Sequence, residues 1–122
     1  MTWKVLFQAD FLDEFYTFDL QVQDEIAAMT ELLAVFGPAL KRPFADTLKG
    51  SKFSNMKELR FAASGGVWRL AYAFDPQRNA ILLVAGDKSG GSSGRFYKSL
   101  ISKADMRFSM HIARIGKRSS KT

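Results

Sequence analysis

Glu58, Arg60, Arg69, Lys88, Arg95 and Tyr97 have the residue types, and the order along the chain, to act together on a phosphodiester. Arginine and lysine can hold a scissile phosphate and stabilise the extra negative charge of a pentacoordinate transition state. RNA carries its own nucleophile, the 2′-hydroxyl. An enzyme therefore needs only to align that hydroxyl, assist removal of its proton and protonate the leaving 5′-oxygen. Glu58 could serve as the base and Tyr97 as the acid, although Glu58 could instead pair with Arg60 or Arg69, and Tyr97 could stack on a base or pack. Arg69 and Lys88 complete this catalytic set, and Arg60, Lys57 and Arg95 are the candidates for binding further RNA phosphates. The scheme requires no metal and no cofactor.

Other chemistries find less support. The sequence has no Cys, which excludes cysteine nucleophiles, thiolate metal sites and disulfides. His111, the single histidine, lies on the apolar side of a helix and reads as a core-edge residue; neither metal ligands nor a serine-nucleophile motif accompany it. The tract Ser89-Gly90-Gly91-Ser92-Ser93-Gly94 is followed by Arg95 where a phosphate-binding Walker loop needs Lys and then Ser or Thr.

The elements that would position the candidates follow from periodicity. Trp3, Val5 and Phe7 alternate as one strand, and a short helix runs from Asp10 to about Phe18. Val22, Ile26, Met29, Leu33 and Phe36 form the stripe of a second helix that Gly37-Pro38 stops. Residues 39–55 read as a loop over a sheet edge. Three strands joined by short turns follow, over 56–61, 67–74 and 81–85, an antiparallel meander. If Leu59, Phe61, Trp68, Leu70, Tyr72 and Phe74 pack under the helices, the two-residue period puts Glu58, Arg60 and Arg69 on the opposite face. A last helix is expected from Arg95 to Ile115, ended by Gly116. The domain then covers 1–116, and 117–122 form a basic, mobile tail.

Charge is distributed unevenly. The net charge of +6 combines an N-terminal third, residues 1–40, with one basic and seven acidic side chains, and residues 88–122 with nine basic ones against Asp105 alone. Such a basic lobe can attract a phosphate backbone or an acidic protein partner. No apolar run approaches the roughly 20 residues that span a bilayer, and no export signal is visible, so a cytoplasmic protein is expected.

Leu48-Lys49-Gly50, Leu59-Arg60-Phe61 after Glu58, Trp68-Arg69-Leu70-Ala71-Tyr72, and Gly86-Asp87-Lys88 ahead of Arg95-Phe96-Tyr97 together resemble the RelE/ParE toxin superfamily, particularly its phage-derived HigB-like branch. The resemblance runs from residue 3 to about 112. It implies an α+β fold: a strand, two helices, a three-strand antiparallel meander and a C-terminal helix on one small sheet. It further implies the toxin of a type II toxin–antitoxin system, cutting mRNA on the ribosome without a metal and silenced by a helix-turn-helix antitoxin. Operator DNA would be bound only through the complex with that antitoxin. In this likeness Arg69 matches the arginine that contacts the phosphate, Lys88 falls near the basic residue after the last strand, and Tyr97 near an aromatic residue. Where ribosome-dependent members carry lysines on the second strand, this chain has Met56 and Glu58. ParE-like relatives share the fold and inhibit DNA gyrase without nuclease activity, the alternative function beside that of a non-catalytic binding remnant.

Overall fold

The computed structural model describes residues 2–120, with side chains described through Lys117. Strand β1 (Val5–Phe7) leads into helices α1 (Ala9–Phe15) and α2 (Leu20–Phe36), and a 3-10 turn (Gly37–Ala39) leads to β2 (Ala45–Thr47). Then come β3 (Lys57–Ala63), β4 (Gly66–Phe74), β5 (Ala80–Asp87) and the long helix α3 (Ser93–Ser120). The strands form one sheet in the order β1-β5-β4-β3-β2, with β1 parallel to β5 and every other pair antiparallel.

Helix α2 starts where Asp19 accepts a hydrogen bond from the Val22 N–H, satisfying a donor that the helix itself cannot. Val22, Ile26, Met29 and Leu33 are buried on its inner stripe. It stops at Gly37, whose positive φ of 53° and contact with the Trp3 indole leave no room for a Cβ. Beneath α1 and α2 lie Leu59, Leu70, Tyr72 and Leu82, all fully buried with Phe11, Val22, Ile26 and Leu33. The period-two facing read from the sequence is the one observed.

The other face of the sheet is covered as well. Met56, Ala71, Ala73, Ile81, Leu83 and Val84 pack under Leu100, Ala104 and Phe108 of α3. Two consecutive residues, Leu83 and Val84, share this face because the β4–β5 register slips by one residue at Ala71/Tyr72, the signature of a bulge. Ala71 and Ala73 keep β4 low enough for α3 to lie across it.

The sequence expectation differs most from the structure in two places. Residues 39–55 contain β2, a fifth strand of three residues whose pattern is too short to stand out from a loop. Helix α3 begins at Ser93 inside the Gly-Ser tract and continues through Ser120, past Gly116. A single glycine weakens an exposed helix by about 1 kcal/mol, and the packed turns before it sustain the helix. Of the expected mobile tail, residues 121–122 lie outside the described residues.

Arg107 ties the layers together. It is buried in α3, donates from Nη1 and Nη2 to the two carboxylate oxygens of Glu14 on α1 at 2.9 and 2.5 Å, and bonds the Leu83 carbonyl at 2.8 Å. The Arg107 guanidinium holds the Glu14 carboxyl below its ordinary range. Arg107→Ala is expected to cost about 2–3 kcal/mol, less than for a fully buried pair because Glu14 can regain water. A depressed carboxyl pKa contributes stability above the unfolded value and loses it as pH falls through the folded one. The gap in urea midpoint between the parent and Arg107→Ala should therefore be widest near neutrality and narrow below about pH 4.3.

Candidate functional site

The site is built where the first turns of α3 reach the first half of β3 and the middle of β4. The β3–β4 register sets Arg60 directly opposite Arg69 and Glu58 opposite Ala71. Two facing arginines repel, and a carboxylate on the same face offsets this. Glu58, only 4% exposed, accepts from Arg60 Nη1 at 2.9 Å through one oxygen and from the Tyr97 hydroxyl at 2.9 Å through the other. Arg69 Nε donates to the Tyr97 oxygen at 3.2 Å and lies 3.8 Å from Glu58. Its Nη1 bonds the Trp68 carbonyl at 2.9 Å, which fixes the plane of the guanidinium.

The sequence motifs gain physical reasons here. Gly86 pairs with Arg69 across the ladder, and a Cβ on it would come within 3.0 Å of the Phe96 ring. Glycine at this position lets α3 press onto the sheet, which sets Tyr97 over Arg69. Asp87 accepts from the amides of Val67 and Ser89 and from the Ser89 hydroxyl, pinning the end of β5 to β4. Lys88, with its own amide on the Val67 carbonyl at 2.7 Å, is thereby held with Nζ 6.0 Å from the centre of the Tyr97 ring.

Burial raises the Tyr97 hydroxyl pKa above its ordinary value, and the hydrogen bond it donates to Glu58 adds to the rise, against the opposing effect of Arg69. Tyr97 therefore carries its proton throughout the neutral range, as a general acid must. A cleft of about 420 Å³ opens beside it, lined by Arg42, Thr47 and Lys49 on one side and Glu58, Arg60 and Tyr97 on the other. Such a site offers cationic donors for a phosphate, a protonated phenol and a carboxylate.

Of the sequence candidates, the fold brings together Glu58, Arg60, Arg69 and Tyr97, with Lys88 beside the tyrosine ring. Lys57 is not among them: strand alternation puts it on the same face as Leu59, away from Glu58 and Arg60. Arg95 lines a separate cleft of about 400 Å³ between β5 and α3, together with Lys103 and Gly91. His111 is buried, as its place on the apolar side predicts, and lies 2.8 Å from Asp75, which also accepts the Gln77 and Asn79 amides. That pair clasps α3 to the β4–β5 turn. Among the described residues, no three acidic or histidine side chains group as metal ligands, and no helix is long and apolar enough to cross a membrane. Arg42 and Thr47 line the cleft without any sequence motif to indicate them, and Lys49 lies in the Leu48-Lys49-Gly50 motif, which assigns it no role. Their only signal was the density of cations in 39–55.

Comparison with known proteins gives concordant results. Residues 13–109 match the family described as phage derived protein Gp49-like. The chain is 42% identical over 96 residues to a candidate toxin of Mycobacterium tuberculosis (strain ATCC 25618 / H37Rv), HigB2, an overlap of 78% of this chain and 47% of that protein. It spans about half that relative's length. To a second candidate toxin of the same strain, HigB3, it is 42% identical over 93 residues, covering 76% of this chain and 79% of the relative. Its fold is similar to that of an arginine double mutant of the E. coli toxin RelE in the free state, with a TM-score of 0.61 at 14% identity, over 84% of this chain and 97% of that one.

Proposed function

Because the chain belongs to the phage-derived Gp49-like family and groups with the HigB toxins, we propose that it is the toxin of a toxin–antitoxin pair and acts by cutting mRNA through the RNA's own 2′-hydroxyl. The observation that carries this reading is the Tyr97 hydroxyl, held between Glu58 and Arg69 at the edge of a cation-lined cleft.

In-line transfer places the attacking and leaving oxygens on opposite sides of phosphorus. Glu58 and Tyr97, in direct hydrogen-bond contact, cannot both flank it. The scissile phosphate enters between them and exchanges that bond for contacts with Arg69 and Arg60. Glu58 takes the proton of the 2′-hydroxyl as the 2′-oxygen bonds to phosphorus. The bond to the 5′-oxygen breaks, and Tyr97 protonates that oxygen, leaving a 2′,3′-cyclic phosphate and a 5′-hydroxyl. As the products leave, Glu58 and Tyr97 meet again, and the proton returns downhill from carboxylic acid to phenolate. Lys88 and Arg69 supply the positive potential for the charge that develops on the phosphate.

The ribosome would present the mRNA strand in a fixed conformation, supplying alignment that this shallow cleft does not. A helix-turn-helix antitoxin would silence the toxin in the cytoplasm, and operator DNA would be bound by the complex. Primer extension on mRNA from cells briefly expressing the chain alone tests the reading. Codon-phased cuts are expected. Intact mRNA with growth arrest and DNA damage would move the assignment to a gyrase inhibitor, and undisturbed growth to a non-catalytic remnant.

A further inference from the structure

A ladder of alternating charge crosses the sheet from its β2 edge to the candidate site. Asp46 of β2 pairs in register with Glu58 of β3, which sets two carboxylates opposite one another. Each is matched by a cation: Arg42 binds Asp46 through Nε and Nη2, both at 2.8 Å, and Arg60 binds Glu58. The Arg42 hydrogen bond, the Thr47 amide and the nearby charge of Arg60 hold the Asp46 carboxyl below its ordinary range. Asp46 is thus ionised and already neutralised by its own arginine. The surplus charge on this wall of the cleft is Lys49, which pairs with no carboxylate among the described residues and lies exposed at the rim.

Lys49 is not on a loose loop. The preceding Leu48 is 4% exposed in the core under α3, and its amide bonds the Met56 carbonyl at 3.0 Å. The backbone immediately before Lys49 is therefore anchored, which limits the volume its ammonium can sample beside the cleft. Arg42 lines the same cleft, with its fork held by Asp46.

We infer that Arg42 and Lys49 form a second phosphate-binding subsite, which holds a phosphodiester of the substrate RNA strand neighbouring the one that is cut. The inference rests on the RNA-cleaving reading of the site. It assigns to the residues flanking β2, the least legible part of the sheet, the task of guiding the strand past Tyr97. Lys49 supplies the charge, and Arg42 supplies a planar donor group already oriented by Asp46. A lysine–phosphate contact of this kind reads no base, so its effect should be uniform across sequences.

The test is binding of a fluorescein-labelled 2′-O-methyl RNA decamer, which cannot be cleaved, followed by anisotropy across a salt series. Lys49→Ala is expected to weaken binding roughly three- to tenfold at 0.15 M salt. It should also flatten the slope of log K against log salt by about 0.7, the single-strand value for one lost phosphate contact. Lys49→Arg should restore both, and Lys4→Ala, at the opposite edge of the sheet, should change neither. Unchanged affinity and slope for Lys49→Ala would overturn the subsite. A loss seen only on programmed ribosomes, not with the free decamer, would overturn it in favour of a ribosomal RNA contact. If the parent protein binds no decamer and Arg69→Ala still arrests growth, the RNA-cleaving reading fails and the subsite fails with it.

Discussion

Arg69→Ala is expected to abolish growth arrest at equal protein level and to lower the rate of mRNA cleavage by roughly a hundred- to a thousandfold, the cost of removing one fixed donor from a developing anion. The size of the effect follows from how Arg69 is held. Nε is engaged by Tyr97 and Nη1 by the Trp68 carbonyl, so the plane of the guanidinium is set before any ligand arrives. Such a donor costs no reorganisation at the moment of reaction. Its removal also deprives the buried Glu58 of a nearby cation, which leaves Arg60 as its remaining ion pair. For that reason Arg69→Lys is the companion variant. It keeps the charge and loses the fork, and it should recover less than a tenth of the parent rate while unfolding in urea close to the parent. Primer extension with each variant reads the cleavage, and circular dichroism confirms the fold. Parent-like cuts in Arg69→Ala would place the chemistry elsewhere on the molecule.

The parts of this site that were legible in the sequence are those governed by short-range periodicity. Alternation alone sets Glu58, Arg60 and Arg69 on one face of β3 and β4, because neighbouring strands share a pleat and the β3–β4 turn is short. By the same rule Lys57 belongs to the other face, and its candidacy for phosphate binding does not survive the register. Tyr97 could be matched by likeness, but its hydrogen bond to Glu58 spans 39 residues and depends on Gly86 admitting α3, which no local pattern encodes. β2 was hidden for a different reason. Three residues carry too little periodicity to distinguish a strand from a loop, and their pairing is decided by the exposed edge of β3. Arg107 illustrates the same limit. Its partners Glu14 and Leu83 come from two other elements that meet only in the fold, so no local pattern marks it as buried. His111 reads correctly as a core-edge residue; the identity of its partner, Asp75, is a tertiary fact.

The hydrogen bond between Glu58 and Tyr97 makes these two residues a single proton circuit, and that has a kinetic consequence. Glu58→Gln and Tyr97→Phe are each expected to reduce single-turnover cleavage by about a hundred- to ten-thousandfold, the range for loss of a general base or acid. If the two work as one circuit, the double variant should be no slower than the slower single one, because groups that act as a unit are strongly non-additive. Multiplied losses would mean that Glu58 and Tyr97 act independently, for instance with Glu58 serving only to balance Arg60. The pH profile distinguishes acid from packing. Tyr97 acts in its protonated form and its pKa is raised, so the parent rate should fall with rising pH only above the ordinary tyrosine value of about 10. That limb should be missing in Tyr97→Phe once spontaneous alkaline cleavage is subtracted. The phenylalanine ring preserves the packing against Phe96 and the contact with Lys88, so the fold should lose only about 1 kcal/mol with the hydroxyl. A Tyr97→Phe protein that cuts at close to the parent rate would remove the tyrosine from the chemistry and leave it a purely structural prop for Arg69.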